Sequence, residues 1–366
     1  MKTALQVKLL PTPEQHAALL DTMHAFNAAC TWIAAYAYQE RCASKFALQK
    51  ALYYAIRQRF GLSAQLAIRA IAKTVEAYKR DKTQPVAFRP DGAGVYEARI
   101  LAFHGLEEVS LMVLHGREVI PMQMGGYQRV QFHRAKGQAD LVVVHGQFFL
   151  LVTIETPEEP PMEPTRFLGV DLGIVNLATD SDGNTYTGTP VEVVRQRCGR
   201  ARQTYQSTHT KSAKRRLQKM ARHEARFRRD VNHCIAKQLV AHAKDTKAAL
   251  SLEDLTGIRD RMTVRKGQRN RHHSWSFGQL RQFVTYKAQR SGVPVVCADP
   301  RNTSRACSRC GFVDKRNRRS QAEFSCLRCG HTLHADLNAA RNLATRGTVK
   351  CPHLVAPVRW QLAFSW

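Results

Sequence analysis

The chain has 366 residues, with 56 lysines and arginines against 29 aspartates and glutamates, a formal net charge of +27. This length allows two or three domains, each with a core of its own. A particle with such a positive excess repels itself unless a polyanion neutralises it, so nucleic acid is the expected partner. An acidic membrane surface is the alternative, and it is disfavoured because no amphipathic helix with a basic polar face begins or ends the chain.

The sequence excludes two further classes. No run of about 18 apolar residues is present, so no membrane-spanning segment is expected. The opening MKTALQVKLLP is interrupted by Gln6 and Lys8 and lacks a small-residue cleavage site, which argues against a signal peptide. Four of the ten cysteines form a tight pattern and six are scattered, which is typical of a metal site rather than a disulfide framework. We therefore expect a cytoplasmic, nucleoid-associated protein.

The first 89 residues predict one strand and then helices. Residues 3–10 alternate as in a strand, and Thr12-Pro13-Glu14-Gln15 supplies an N-cap, a proline at the first helical position and a capping-box glutamine. Apolar residues at helical spacing continue to about residue 82. We predict a helical domain of three or four helices over residues 11–89.

Residues 90–156 contain short apolar runs separated by glycine and histidine. We predict strands at 109–114, 127–132, 139–144 and 148–154, which together with residues 1–10 form a small antiparallel barrel. The acidic, proline-rich segment PEEPPMEP at 157–164 is expected not to pack and to act as a domain linker.

The remainder predicts a mixed α/β domain over 165–300 and 331–346, interrupted by a small insert at 301–330 and followed by a tail at 347–366. FLGVDLGIVNLATDSDGN predicts two strands, with a hairpin turn at 181–184. Helices are expected over about 193–247 and at 277–291, strands at 248–255 and 293–299, and a last helix from about Ala335.

Four cysteines in the insert have the spacing of a zinc ribbon. Cys307 and Cys310 form one CxxC pair, Cys326 and Cys329 form another, and a glycine follows each pair. Four thiolates leave no open coordination position, so the predicted Zn²⁺ is structural. Four free thiols or two disulfides are the alternatives.

Three carboxylates stand where an acid is unexpected. Asp171 lies inside the apolar strand LGVDLGI, Glu253 ends the strand LSLED, and Asp336 opens the last helix. A buried unpaired carboxylate costs several kcal/mol, which suggests a function for Asp171. Each also has a structural explanation, since Asp336 could cap its helix and Glu253 could form a salt bridge.

Taken together, these segments resemble the TnpB (OrfB) family of transposon-encoded nucleases, which is related to type V CRISPR effectors. The resemblance rests on GVDLGIVNLATDSDG, LSLEDL, TSRACSRCG and FSCLRCGHTLHADLNAARN, with residues 275–280 and 299–304, and covers roughly residues 165–345. Arg305 stands where the family often has glutamine. The N-terminal half is similar only in arrangement, which resembles the family's recognition domain (11–89) and wedge domain (1–10 and 90–156).

The resemblance implies a fold and a site. The expected fold is an α/β RNase H-like (RuvC) core with an inserted zinc ribbon, preceded by a helical domain and a small β-barrel. Carried over by motif, Asp171, Glu253 and Asp336 are the catalytic acids, and the four cysteines hold zinc. Guidance by an RNA and reading of a short DNA motif also follow from the resemblance alone.

Elementary electrostatics supports a metal site at the three acids. Carboxylates crowded within about 4–5 Å repel one another by several kcal/mol per pair, and divalent cations relieve that repulsion. Oxygen ligands favour Mg²⁺, with two ions expected and Mn²⁺ as a substitute. Asp254, next to Glu253, should point to the opposite face of its strand.

Basic residues beyond the acids predict contacts with guide RNA and target DNA. The expected contacts are Lys214, Arg215, Arg216, Lys219, Arg222, Arg226 and Arg229 on a helix, Arg269 and Arg271 in an arginine-rich loop at 259–271, and Lys315, Arg316, Arg318 and Arg319 in the ribbon. Such charge runs are otherwise solvated faces.

The leading hypothesis is thus an RNA-guided, metal-dependent DNA endonuclease from a prokaryotic cell. One alternative is an RNA-guided DNA-binding protein, such as a repressor, that no longer cuts. A second is a DNA-joining transposase, and a Holliday-junction resolvase is a third. The three acids favour cleavage over binding alone, and a ribbon placed before the third acid favours the TnpB pattern.

Overall fold

The computed structural model describes residues 1–80, 83–255 and 276–354, and the chain divides into two compact units, Met1–Pro157 and Glu158–Trp366. The finer division into the predicted domains remains a prediction. Within these ranges, none of the helices combines the length and the hydropathy that a membrane-spanning segment requires.

Three helices of the first unit confirm the helical prediction. They are α1 (Pro13–Gln39), α2 (Lys45–Phe60) and α3 (Ala64–Arg80). Thr12 and Gln15 form the expected capping box at the start of α1, and Gly61, at φ +64°, ends α2. The left-handed conformation at Gly61 suits a residue without Cβ.

A nearly closed antiparallel sheet of seven strands completes the first unit. The strands are β1 (Lys2–Leu9), β2 (Gly94–Tyr96), β3 (Leu101–His104), β4 (Glu108–Val113), β5 (Gly116–Gln123), β6 (Ala135–Val144) and β7 (Gln147–Glu155), in the order β2-β6-β7-β1-β5-β4-β3. As predicted, the first strand pairs into this sheet, between β7 and β5. Helices and sheet share one hydrophobic core.

The strand predicted at 127–132 is wrong. Residues Gly126–Gln131 form a short helix, α4, followed by a 3-10 turn at Phe132–Arg134. The Gln128 side chain accepts a hydrogen bond from the Gly125 N–H at 2.9 Å, which caps the first turn. Tyr127 and Val130 are exposed and lie three residues apart, a helical spacing, so these apolar residues do not mark a buried strand face.

The second unit contains a five-stranded sheet flanked by helices. Its strands are β8 (Arg166–Asp171), β9 (Asn176–Asp180), β10 (Thr185–Thr187), β11 (Ala248–Glu253) and β12 (Val295–Ala298), in the order β10-β9-β8-β11-β12. The helices are α5 (Thr189–Ser207), α6 (Lys211–Asp245), α7 (Phe277–Arg290) and α8 (Ala335–Lys350). β11 pairs in parallel with β8 and β12, whereas β9 is antiparallel to β8. These elements confirm the predicted strands and helices of this region.

The two faces of this sheet are covered by different helices. Leu168, Val170, Leu250 and Leu252 form a core with α6 and α7. The alternate residues, Phe167 and Ala249, pack beside Ala344 of α8. Because side chains alternate along a strand, each helix layer meets one set of positions.

The predicted linker packs, contrary to expectation. The Glu159 N–H donates to the Arg290 carbonyl, and the Met162 N–H donates to the Gly292 carbonyl. The Glu159 carboxylate also pairs with Lys244 at 2.6 Å. Glu159, one of the acids that suggested a solvated segment, is thus partnered by Lys244 near the end of α6, and Glu158 accepts a hydrogen bond from Gln289 of α7.

The hairpin turn between β9 and β10 gives a test of stability. Arg166 makes a bidentate pair with Asp182 at 2.6 Å, and His242 contacts the same carboxylate at 2.8 Å. Arg166 first, and then His242, lowers the pKa of Asp182 to about 2. A folded-state pKa below the unfolded value gives stability that is present above about pH 4 and is lost as pH falls toward 2.

We therefore expect Asp182→Asn to lower the free energy of unfolding by about 1 kcal/mol at pH 7, after discounting for solvent screening. The difference from wild type should shrink as pH falls from about 4 toward 2. Chemical denaturation across this pH range measures it. Equal stabilities at pH 7 would contradict the expectation.

Candidate active site and cysteine ribbon

Two of the predicted acids lie at the ends of neighbouring parallel strands. Leu252 of β11 pairs with Val170 of β8, so the next residues, Glu253 and Asp171, are adjacent at the carboxyl edge of the sheet. Asp171 lies two residues after Gly169 and Glu253 two residues after Ser251. Each acid therefore points to the same sheet face as that small residue.

Small residues on that face allow α8 to approach very closely. A Cβ on Gly169 would overlap the backbone of Ala340 and Ala344. Further along, a Cβ on Gly347 would come within 2.9 Å of the Ser251 Cβ. The Ser251 hydroxyl donates to the Leu343 carbonyl at 2.7 Å. The helix thus lies against the face that carries Asp171 and Glu253.

The direction of α8 brings the third acid to the same edge. Gly347, near the end of α8, lies against Phe167 at the start of β8, whereas Ala340 lies against Gly169. The helix therefore runs antiparallel to β8, and Asp336 in its first turn is at the end where Asp171 lies. Asp336 is not the N-cap, because the His334 side chain caps the helix by accepting from the Asp336 N–H.

Burial and like charge perturb two of these acids. Burial, and then the charge of Asp336, raises the pKa of Asp171 to about 7. Burial, and then the charge of Asp171, raises the pKa of Glu253 to about 8. Each raised pKa means that nearby positive charges do not fully offset the cost of burying the charged carboxylate. A bound cation would supply that compensation, so the donor set suits a hard divalent ion.

Neighbouring residues that sequence reasoning did not identify also act on the acids. The Asn176 amide donates to Asp336 at 2.8 Å. Arg318, predicted to contact nucleic acid from the ribbon, lies 4.0 Å from Asp336, and its charge also lowers the pKa of Asp171. The charge of Arg346 likewise lowers the pKa of Glu253. Nothing in the spacing of these residues along the chain indicates that they meet the acids.

The Asp254 side chain points to the face of the sheet opposite that of Glu253, as predicted. Its carboxylate pairs at 2.9 Å with Arg281 of α7, which belongs to the opposite helix layer. In contrast, Glu253 forms no salt bridge among residues 1–80, 83–255 and 276–354, so a salt-bridged strand end does not explain it.

Four cysteines form a tight cluster. Within the described part of the chain, it is the one group of three or more histidine, cysteine, aspartate or glutamate side chains that are close enough to hold a metal ion. The sulfurs of Cys307, Cys310, Cys326 and Cys329 all lie within 4.8 Å of one another. The Cys307–Cys329 and Cys310–Cys326 distances are 3.7 and 3.6 Å, far above a disulfide bond length. The cluster is compatible with structural zinc, and the three acids are less closely gathered.

Each CxxC turn is closed by a backbone hydrogen bond from the glycine that follows it. The Gly311 N–H donates to the Cys307 carbonyl and the Gly330 N–H to the Cys326 carbonyl, with both glycines at positive φ. Burial raises the pKa of Cys326, but hydrogen bonds from the backbone amides at positions 328 and 329 and from the Cys310 and Cys329 side chains together lower it to about 7. The positive φ values explain why a glycine follows each pair.

Buried asparagines connect the ribbon to α8. Its hairpin comprises β13 (Glu323–Ser325) and β14 (Thr332–His334). Asn317 donates to the Arg305 and Phe312 carbonyls and accepts from the Leu327 N–H, which joins the two CxxC turns. Asn338 of α8 donates to the Ala306 carbonyl and accepts from the Ser308 N–H. The start of α8, and hence Asp336, is therefore fixed to the ribbon.

The predicted nucleic-acid contacts on α6 are all exposed. They are Lys214, Arg215, Arg216, Lys219, Arg222, Arg226 and Arg229. Arg269, Arg271 and the loop at 259–271 lie outside the described residues. Contact of any of these with nucleic acid stays a prediction.

Substitution of Gly169 tests the close approach of α8. We expect Gly169→Ala to lower the free energy of unfolding by about 2 kcal/mol, because the added methyl overlaps helix backbone. Displacement of α8 would also misplace Asp336 and slow any reaction at this edge by roughly ten- to a hundredfold. Denaturation and activity assays measure both effects. Gly278→Ala is the control, since a Cβ there meets nothing within 4 Å, and an unchanged Gly169→Ala protein would contradict the packing account.

Two family models match this chain, mainly over its second unit. Residues 149–256 match a family model described as "Probable transposase", and residues 277–343 match one described as "Cas12f1-like, TNB domain". A TnpB-like protein of Methanocaldococcus jannaschii is 30% identical over 206 residues, which cover 52% of this chain and 73% of that protein.

Two further relatives carry nuclease names. The CRISPR-associated endodeoxyribonuclease Cas12f1 of Sulfoacidibacillus thermotolerans is 41% identical over 33% of this chain and 27% of its own length. The putative RNA-guided DNA endonuclease InsQ of Escherichia coli is 27% identical over 55% of this chain and 54% of its own length. This chain thus spans about a quarter to a half of these two relatives.

One solved structure, of the mini-RNA-guided endonuclease CRISPR-Cas_phi3, has a similar fold. Its TM-score is 0.55 at 10% identity, over 94% of this chain and 92% of that one.

Proposed function

Because this chain belongs to the TnpB-like protein family, we propose that it is an RNA-guided, divalent-metal-dependent DNA endonuclease of a transposable element. One observation carries the proposal. Two adjacent parallel strand ends and the first turn of α8 bring Asp171, Glu253 and Asp336 to one edge of the sheet.

The sheet supports an RNase H-like (RuvC) core. In chain order its strands are arranged 3-2-1-4-5, with the second antiparallel to the first and the fourth and fifth parallel to it. In open α/β sheets, ligands bind outside the carboxyl ends of parallel strands. The acids occupy that position.

The three acids would hold the divalent ions, for which Mg²⁺ suits their oxygen donors. Bound there, such ions supply activation of water and charge stabilisation for in-line displacement at phosphorus. Asn176 holds one oxygen of Asp336, which fixes the orientation of that carboxylate. Arg318 adds a positive charge beside the acids, and a guanidinium suits the phosphate of a substrate.

Charge supports nucleic acids as partners. A bound guide RNA would offset much of the net charge of +27, and the exposed cations of α6 offer phosphate contacts that need no particular base sequence. Base pairing between guide and target would then select the DNA site. The ribbon, with structural zinc, would secure the start of α8.

The test is to purify the protein from its host, sequence the RNA bound to it and supply DNA matching that RNA with Mg²⁺. We expect a bound RNA of defined sequence and cleavage of matching DNA alone. RNA-dependent binding without cleavage would instead indicate a DNA-binding protein, and strand joining would indicate a transposase. Cleavage without any RNA would leave an unguided nuclease.

A further inference from the structure

The helical hairpin α5–α6 extends beyond the catalytic edge of the sheet. The second half of α6 packs on the sheet through Ile235, Leu239 and Ala243, and the helix ends where β11 begins. The helix therefore runs antiparallel to β11. From Ala243 to Met220 it spans about 35 Å, against about 20 Å for β11. Met220, in the first half of the helix, thus lies roughly 15 Å past the edge that carries Glu253.

A cavity of about 510 Å³ lies between α5 and the first half of α6. Its floor is apolar, with Val194, Ala201 and Met220, and the half-buried ring of Tyr205 forms one wall. The Arg216 guanidinium lies 5.8 Å from the centroid of that ring. Cavities of this size hold small organic ligands.

The rim of this cavity is cationic and lacks acidic partners. Arg197, Arg216, Lys219 and Arg226 line it, and none forms a salt bridge to an acid within the described ranges. Two acids of the hairpin are already paired. Glu192 contacts Arg195 within α5 at 2.7 Å, and Glu224 of α6 contacts Arg202 of α5 at 2.9 Å.

We propose that this cavity, the α5–α6 pocket, holds one unpaired base of the DNA strand to be cleaved. The apolar floor and the Tyr205 ring suit the face of a base, and the cations suit the phosphates on either side. A base within a duplex is stacked and cannot enter. This inference rests on the proposed function, because it takes the occupant to be the substrate of the acids.

The location of the pocket relative to the acids supports the strand to be cleaved as the occupant. The pocket extends past the edge of the sheet that carries the acids, on the α6 side, whereas the acids point to the α8 side. A strand whose base is in the pocket therefore passes around this edge to reach the acids, over a few nucleotides. The pocket would then fix the register of the strand relative to the scissile phosphate.

The test uses the full-length Asp171→Ala protein with its bound RNA and a fluorescent five-nucleotide DNA whose outer four positions are abasic, with or without a thymine at the central position. Base–aromatic stacking predicts that loss of the base weakens binding about tenfold. Tyr205→Ala should reduce that difference to less than about twofold, whereas Tyr205→Phe should preserve it. Lys237→Ala, an exposed cation of α6 outside the pocket, should also preserve it.

Two outcomes would overturn the proposal. One is no effect of the central base, or the same effect in the Tyr205→Ala protein. The other is the corresponding RNA, with a single central uracil, that binds more tightly than the DNA with the same dependence on Tyr205, which would assign the pocket to RNA. If the wild-type protein cleaves guided DNA but the pocket shows no base dependence, only the pocket proposal is refuted. If the pocket binds a base but the protein does not cleave DNA, the proposed nuclease function is refuted.

Discussion

Asp171→Ala should abolish DNA cleavage, lowering the rate at least about a thousandfold, while leaving affinity for guide RNA and target DNA within about twofold. The carboxylate lies at the centre of the acidic group, since its charge is coupled to both Asp336 and Glu253. Without it, the remaining acids cannot hold ions in the same place. Single-turnover cleavage and filter binding with the same DNA separate the two effects.

Glu253 and Asp254 provide a matched comparison at the same strand end. Glu253→Gln should reduce cleavage to a similar extent, whereas Asp254→Asn should keep it within about threefold, because Asp254 pairs with Arg281 on the opposite side. Equal losses in both proteins would mean that the strand end, rather than the carboxylate, matters. Full cleavage by Asp171→Ala would refute the site.

Loss of one ribbon cysteine should have the largest effect on stability. The apolar core of the ribbon contains only Cys307, Phe324, Cys326 and Ala335 as buried residues, too few to fold without further support. A structural zinc supplies roughly 10 kcal/mol or more. We expect Cys326→Ala to lose one equivalent of zinc and to unfold the ribbon, as measured by metal analysis and hydrogen exchange.

Cleavage should also fall in Cys326→Ala, because Asn338 and Asn342 connect the ribbon to the helix that carries Asp336. The matched control is Cys234→Ala, which removes an exposed thiol of α6 outside the ribbon and should retain zinc and activity. A Cys326→Ala protein with a full equivalent of zinc and a protected ribbon would contradict the zinc assignment.

Much of the second unit could be predicted because its signals are local. Apolar runs marked β8 and β11, and an acid at the end of each was conspicuous against its neighbours. Two CxxC pairs followed by glycine need no tertiary information, and the structure confirms the positive φ at both glycines. Convergence of the acids rested on family resemblance, since spacing along the chain cannot show that α8 runs back along β8.

The two wrong predictions have different physical causes. At 127–132 a short apolar segment favoured a strand, but a glycine N-cap and a glutamine three residues later stabilise a local helical turn instead. At 157–164 the acids and prolines suggested solvation, yet backbone carbonyls at the end of α7 and Lys244 of α6 hold the segment. Only the second outcome depends on partners that are distant in the chain. The proximity of Arg318 to Asp336 depends on the fold in the same way.

The central claim is that Asp171, Glu253 and Asp336 together bind divalent cations. Crystals of the protein with guide RNA and a non-cleavable DNA, soaked in Mn²⁺, allow the ions to be located by anomalous diffraction at the manganese edge. We expect strong peaks in contact with all three carboxylates, and their loss in Asp171→Ala. Manganese elsewhere, with the acids contacted only by Arg318 and Asn176, would contradict the account.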